Sequence, residues 1–214
     1  MTPQASALAL KGEPAPAAAG AAAKVAPLKI ILIRHGKPAI ATAPIARHHE
    51  FRSYIDAYED AGLDPADAPP AELRDLVREL DAVFTSGRKR AADSAKVLAP
   101  NAELIVDPLF VESPLASPRI PLLKMKVTKW AVVSRLLWYA GFSPKIEGYR
   151  KSKRRAKQAA EILIKRAQTT GGTALVAHGY FNYLIGIELR RRGFVQTGRH
   201  KAKYWNDVVY ERKA

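Results

Sequence analysis

Beyond residue 27 the chain alternates short apolar, β-branched runs with longer stretches in which apolar positions recur at helical spacing. Leu28-Lys29-Ile30-Ile31-Leu32-Ile33 has the near-continuous apolar pattern of a strand buried on both faces, and Gly36 and Pro38 end it. Ala82-Val83-Phe84-Thr85, Leu104-Ile105-Val106 and Thr173-Ala174-Leu175-Val176-Ala177 look alike, and a weaker run, Asp207-Val208-Val209-Tyr210, closes the chain. Helical periodicity covers Ala71 to Leu80, Lys89 to Leu98, Arg150 to Ala167 and Phe181 to Arg192. Strands alternating with helices predict a three-layer α/β/α domain with a mostly parallel central sheet.

Residues 1–27 stand apart. They form an Ala/Pro tract with Lys11, Glu13 and Lys24 as its only charges, and nothing in it makes a core face. It reads as a disordered or loosely helical tail on a domain of residues 28–214. It lacks a basic leading region, and Lys11 and Glu13 break its apolar run, so it is a poor secretory signal.

The 214 residues contain no cysteine, which excludes disulfide frameworks, thiolate metal sites and a cysteine nucleophile. That fits a reducing compartment, and the expected location is cytoplasmic. Charge is divided unequally: residues 1–112 carry a net −2 and residues 113–214 a net +17, for +15 in all. A cationic half faces an anionic partner, such as a phosphorylated substrate, or is simply solvated.

In sheets of this kind, ligands bind beyond the carboxyl ends of the strands. Arg34-His35-Gly36 follows the first strand, Ser86-Gly87-Arg88-Lys89-Arg90 the second, Asp107 and then Glu112 the third, and His178-Gly179 the fourth. Two imidazoles, several guanidiniums and an acid, with no metal set, suit phosphoryl transfer through a phosphohistidine. A neutral imidazole nitrogen attacks phosphorus while arginines bind the non-bridging oxygens and disfavour imidazolium. A carboxylic acid protonates the leaving oxygen, and its carboxylate then activates water.

The same residues carry a resemblance. Ile31-Leu32-Ile33-Arg34-His35-Gly36 resembles the strand and RHG signature of the histidine phosphatase superfamily, which includes the cofactor-dependent phosphoglycerate mutases. Phe84 to Ala95, with Ser86 and Arg90-Ala91, is similar to its second motif, and Leu175-Val176-Ala177-His178-Gly179 to its late His-Gly motif. The resemblance runs from Leu28 to about Tyr210. It implies a phosphoglycerate mutase-like fold, His35 as the phosphorylated nucleophile, and Arg34, Arg90 and His178 as the phosphate pocket. Arg90 takes the Arg-Ala position, so Arg88 and Lys89 read as a solvated helix start. Glu112 is the implied acid, in Leu109-Phe110-Val111-Glu112, with Asp107 and Glu147 as alternatives. Asp107 reads as a turn residue and Glu147 as a helix cap. No cofactor or metal is implied.

Other features carry less. Arg47-His48-His49-Glu50 has histidines side by side, which do not converge on a metal from one helix. Lys37 borders the RHG motif and reads as a rim or substrate contact, while His200 reads as solvated. Residues 113–148 form a lid-like insertion. Its stretch 122–142 holds Trp130, Trp138, Lys124, Lys126, Lys129 and Arg135, and reads as a lid or core helix, or alternatively as a contact with an anionic membrane surface. Arg150 to Lys157 is basic but has no interleaved aromatic platform, so a nucleic-acid partner is not expected.

The expected function is a phosphatase acting on phosphomonoesters, with a phosphorylated small molecule or phosphoprotein as substrate. The alternatives are a mutase-like phosphotransferase, or a basic module that binds phosphate or a membrane surface.

Overall fold

A computed structural model describes residues 27–41 and 44–213. The tail expected over residues 1–27 therefore lies, but for Pro27, outside the described residues. A six-stranded sheet forms the centre, in the order β4-β3-β6-β1-β8-β7. These strands are β1 (Leu28–Arg34), β3 (Ala82–Thr85), β4 (Glu103–Val106), β6 (Gly172–Ala177), β7 (Val195–Thr197) and β8 (Asp207–Arg212). β4, β3, β6 and β1 run parallel, whereas β8 is antiparallel to β1 and β7 to β8. The sheet is thus mixed and mostly parallel.

Strand alternation divides the core. Ile30, Leu32, Phe84, Leu175 and Ala177 face one side, where they pack on α5 (Tyr149–Thr170) and α6 (Gly179–Arg191). Ile31, Ile33, Val83, Ala174 and Val176 face the other side, against α2 (Ala71–Val77) and α3 (Lys89–Leu98). β1 and β6 are buried on both faces, which is why their sequences lack polar alternation.

A smaller cluster stands beside this sandwich. α1 (His48–Asp60) and α4 (Val127–Tyr139) pack there with a two-stranded ribbon of β2 (Ile45–Ala46) and β5 (Met125–Lys126). Phe51 stacks on Trp130 with ring centroids 5.8 Å apart, and the Trp130 indole N–H donates to the Ala46 carbonyl at 2.7 Å. Trp130 and Trp138 are both fully buried, so these two tryptophans face protein rather than a membrane surface, while Tyr139 and Phe142 are exposed. Val132 and Leu136 remain exposed on α4. No helix among the described residues is long and apolar enough to cross a membrane.

Candidate active site

The central strands set the site. β1 pairs with β6 so that Arg34 lies opposite Ala177, and the His35 N–H donates to the Ala177 carbonyl at 2.9 Å. His35 and His178 are thereby carried to one edge, with ring centroids 5.3 Å apart and both rings buried. β3 ends beside them at Thr85, followed by Ser86, and the start of α3 brings in Arg90, which is 1% exposed. The side chain of a buried arginine needs partners for all its donors, and here the partners are the site itself.

The loop after β1 is tightly fixed. The Gly36 N–H donates to Ser94 Oγ at 2.9 Å, and a Cβ on Gly36 would run into Trp205 and Leu63. Trp205 adopts a left-handed backbone with φ 56°, which lays its indole there. Asp67 Oδ2 accepts from both the Trp205 indole N–H, at 2.7 Å, and the Lys37 backbone N–H, at 2.6 Å. The Lys37 ammonium pairs with Asp64 at 2.8 Å, so this lysine belongs to the exposed rim.

Hydrogen bonds identify the tautomers. His35 Nδ1 lies 2.7 Å from the Gly36 carbonyl, which only accepts, so Nδ1 bears the proton. His35 Nε2 then carries a lone pair and accepts from Arg90 Nε at 3.2 Å. His178 Nδ1 faces Arg90 Nη2 at 3.4 Å and therefore accepts, which leaves Nε2–H to donate to Ser86 Oγ at 2.8 Å. Burial, then Arg90, push the His35 pKa down from 6.5 to about 3, against the Gly36 carbonyl, whose opposing effect exceeds the further lowering by Arg34. Burial also holds His178 well below the ordinary range, helped by His35, Arg90, Arg88 and Arg34. Both imidazoles are neutral at physiological pH.

Arg34 packs its guanidinium over the Tyr204 ring at 4.6 Å. Its Nε is buried with no partner among the described residues, a donor aimed at no protein acceptor. Glu112 reaches the same edge from the loop after β4 and the 3₁₀ turn Pro108–Phe110. Its carboxylate accepts from the N–H groups of Tyr180 at 3.2 Å and Phe181 at 2.8 Å, in the first turn of the helix that follows His178. Arg155 holds that loop from behind. It donates to the carbonyls of Leu109 and Val111, each at 2.7 Å, stacks on Phe181 at 3.9 Å, and pairs with Glu147 at 2.7 Å.

Four of the five expected residues, Arg34, His35, Arg90 and His178, thus meet around one point, and Glu112 joins at the adjoining helix start. The two alternative acids are occupied elsewhere. Asp107 accepts from the Leu109 N–H at 2.8 Å, the turn role expected of it. Glu147 spends its carboxylate on Arg155 rather than capping α5, whose N-cap is Gly148.

Some expectations need correction. Arg88 is not simply solvated: its Nε pairs with Glu59 at 2.9 Å beside the pocket, while Lys89 is exposed. His200 is half-buried and bonded to the Tyr210 hydroxyl at 2.8 Å, and burial lowers its pKa to about 4. Glu50 is used by the Arg47 backbone N–H at 2.6 Å, and among the described residues no group of three metal-ligand side chains converges.

Sequence reasoning passed over Tyr58, Glu59 and Tyr204. The Tyr58 ring lies 6.3 Å from His35 and the Tyr204 ring 5.9 Å from it. Arg90 stacks over Tyr58 at 4.7 Å, and burial raises the Tyr58 pKa to about 12. Phe51, Tyr54, Ile55 and Tyr58 have the 3–4–7 spacing of an apolar helix face, which would have revealed α1.

The profile of the histidine phosphatase superfamily (branch 1) matches residues 30–201, most of the chain. The chain belongs to that superfamily. Among solved structures it resembles the phosphoserine phosphatase of Entamoeba histolytica, at 16% identity over 85% of this chain and 89% of that one, with a TM-score of 0.54. It also resembles a mycobacterial glucosyl-3-phosphoglycerate phosphatase, at 16% identity over 77% and 80%, with a TM-score of 0.52. The Rv3214 protein of Mycobacterium tuberculosis is 20% identical over 87% and 95%, with a TM-score of 0.54. These likenesses establish a shared histidine phosphatase fold. None of the curated proteins matches the chain.

Proposed function

We propose that this histidine phosphatase superfamily member hydrolyses phosphomonoesters through a phosphohistidine on His35. The observation that carries the proposal is the state of the His35 ring. Its Nδ1–H is spent on the Gly36 carbonyl at 2.7 Å, and its Nε2 lone pair faces a guanidinium. An unprotonated nitrogen ringed by cations is a nucleophile for an anionic phosphorus centre.

The phosphoryl group enters between Arg34 and Arg90, which take its non-bridging oxygens. The His35 Nε2 lone pair forms the N–P bond as the P–O bond to the alcohol breaks, and Glu112 gives its proton to the departing oxygen. Positive charge growing on the ring is met by the Gly36 carbonyl at Nδ1–H. Water then attacks phosphorus, Glu112 takes a proton from it, and the N–P bond breaks to release orthophosphate and neutral His35. The proton count closes over the two steps. His178, held neutral by burial, donates from Nε2 to Ser86 and leaves the Ser86 hydroxyl proton for a phosphate oxygen.

The substrate class is a phosphorylated small molecule or a phosphoprotein, in keeping with the phosphatases it resembles in fold. Lys37 is tied to Asp64 and Asp67, so the residue after the RHG motif adds no group for a second substrate. That favours water over an acceptor hydroxyl in the second step. Enzyme incubated with radiolabelled p-nitrophenyl phosphate and quenched in alkaline detergent should carry acid-labile, base-stable label. His35→Ala should lose both the label and turnover by several orders of magnitude. Retained turnover in a folded His35→Ala protein would sink the proposal.

A further inference from the structure

Arg90 engages all five of its N–H donors, and the partners sort by the edge of the guanidinium they meet. Nε faces His35 Nε2 at 3.2 Å and Nη2 faces His178 Nδ1 at 3.4 Å. Nε and Nη2 form the parallel fork that binds two oxygens of a phosphate. On the far side, Nη1 donates to the carbonyls of Tyr58 at 2.9 Å and Glu59 at 3.1 Å. Nη2 also donates outward, to Glu59 Oε1 at 3.1 Å.

Those far-side partners come from one place, the last turn of α1. Carbonyls in a last helical turn lack intrahelical donors and sit at the negative end of the helix dipole. They suit a cation, and the Tyr58 ring lies against the same guanidinium. Two carbonyls on Nη1 hold one corner of the guanidinium. The Glu59 carboxylate holds the next, Nη2, so the outer edge is fixed at both nitrogens and the Nε/Nη2 edge is turned to the pocket. Its other oxygen is occupied by Arg88 at 2.9 Å, so the carboxylate is itself held.

We propose that Glu59, with the C-terminal turn of α1, is the positioning residue for Arg90, holding the Nε/Nη2 fork toward the phosphoryl group. This rests on the phosphatase reading and extends it to a residue on an element that carries none of the family motifs. Glu59 acts through Arg90 and does not touch phosphorus. Its loss should weaken phosphate binding in ground and transition states, because the misdirected fork serves both.

The experiment is steady-state kinetics with p-nitrophenyl phosphate and competitive inhibition by orthophosphate. It uses Glu59→Leu, Glu59→Asp, Glu59→Gln, Arg90→Lys and the double variant Glu59→Leu/Arg90→Lys. A lost charge-assisted contact and a displaced fork predict that Glu59→Leu raises KM and the phosphate Ki by about 10- to 100-fold. Glu59→Gln retains an acceptor oxygen and should stay within about threefold. Glu59→Asp keeps the charge but withdraws it by one methylene, and should raise Ki roughly tenfold. This variant preserves the test if Glu59→Leu does not fold. The double variant should be no worse than Arg90→Lys, because lysine has no fork to aim.

An unchanged Ki in Glu59→Leu and Glu59→Asp would overturn the assignment. A lowered Ki would overturn it too, by showing that the carboxylate competes with phosphate for Arg90. Additive losses in the double variant would show that Glu59 acts independently of Arg90. If Arg90→Lys keeps wild-type Ki and turnover, the phosphate pocket itself is wrong, a failure distinct from the others.

Discussion

Replacing His35 by glutamine removes one titrating group from the core and keeps a neutral polar side chain of similar size. The ring is buried at 2% exposure, and burial with Arg90 and Arg34 moves its pKa from 6.5 to about 3. Between those two values the unfolded chain binds a proton that the folded protein refuses. Stability is therefore full above pH 6.5 and lost as pH falls toward 3. Each pH unit in that window costs about 1.4 kcal/mol, so His35 alone should remove about 2 kcal/mol between pH 6.5 and pH 5. His178 and His200 shift in the same direction, so the wild type loses more than this and the variant isolates the His35 share. Urea unfolding followed by tryptophan fluorescence at pH 7 and pH 5 measures it, in buffers free of phosphate so that anion binding does not intrude. The wild type should lose about 2 kcal/mol more than His35→Gln. Equal losses in the two proteins would refute the reasoning, because they would mean that the folded ring takes a proton as readily as the free one.

Two further outcomes follow from the acid and its support. Glu112→Gln should slow hydrolysis of an alkyl phosphate by about 10²- to 10⁴-fold, while leaving the first step with p-nitrophenyl phosphate much less affected. Quench-flow should then show a nitrophenol burst and accumulated phosphoenzyme, and equal losses on both substrates with no burst would remove Glu112 as the acid. Arg155→Met should reproduce that dependence on the leaving group in milder form and lower stability by about 3 kcal/mol, because it frees the Leu109 and Val111 carbonyls and strands the Glu147 carboxylate. Thermal melting with the same two substrates checks it; a loss of stability with no change in leaving-group dependence would confine Arg155 to a packing role.

The parts of the site that a reader of the sequence finds are those attached to strand ends. β1 and β6 are buried on both faces, so their runs are apolar throughout, and the polar residue that ends each run is conspicuous. Arg34, His35 and His178 are all of this kind. Arg90 is found one helical turn later, at a position that the fold family marks. Glu59 and Tyr58 lie on α1, whose stripe of Phe51, Tyr54, Ile55 and Tyr58 marks a helix but not a place at the pocket, because its partner α4 is far away in sequence. Tyr204 is hidden for another reason: it reaches the pocket from a loop whose shape depends on the left-handed backbone of Trp205, a conformation no residue pattern announces. The reversal of β8 and β7 is also not legible, since runs this short carry nothing that fixes strand direction.

The distribution of charge in the pocket bears on product release in the proposed cycle. Arg34, Arg88 and Arg90 bring three cations to a small volume, and two protonated imidazoles would make five. A dianionic orthophosphate released into such a site, in a medium of low dielectric, would leave slowly. Two features reduce that attraction. Glu59, from the acidic half of the chain, neutralises one guanidinium equivalent at the bridge between Arg88 and Arg90. Burial keeps both imidazoles neutral, so they contribute a lone pair and a hydrogen-bond donor without adding charge. In the proposed cycle the depressed histidine pKa would serve both halves. It would leave Nε2 of His35 free to attack, and it would limit the cationic field that a departing phosphate has to escape.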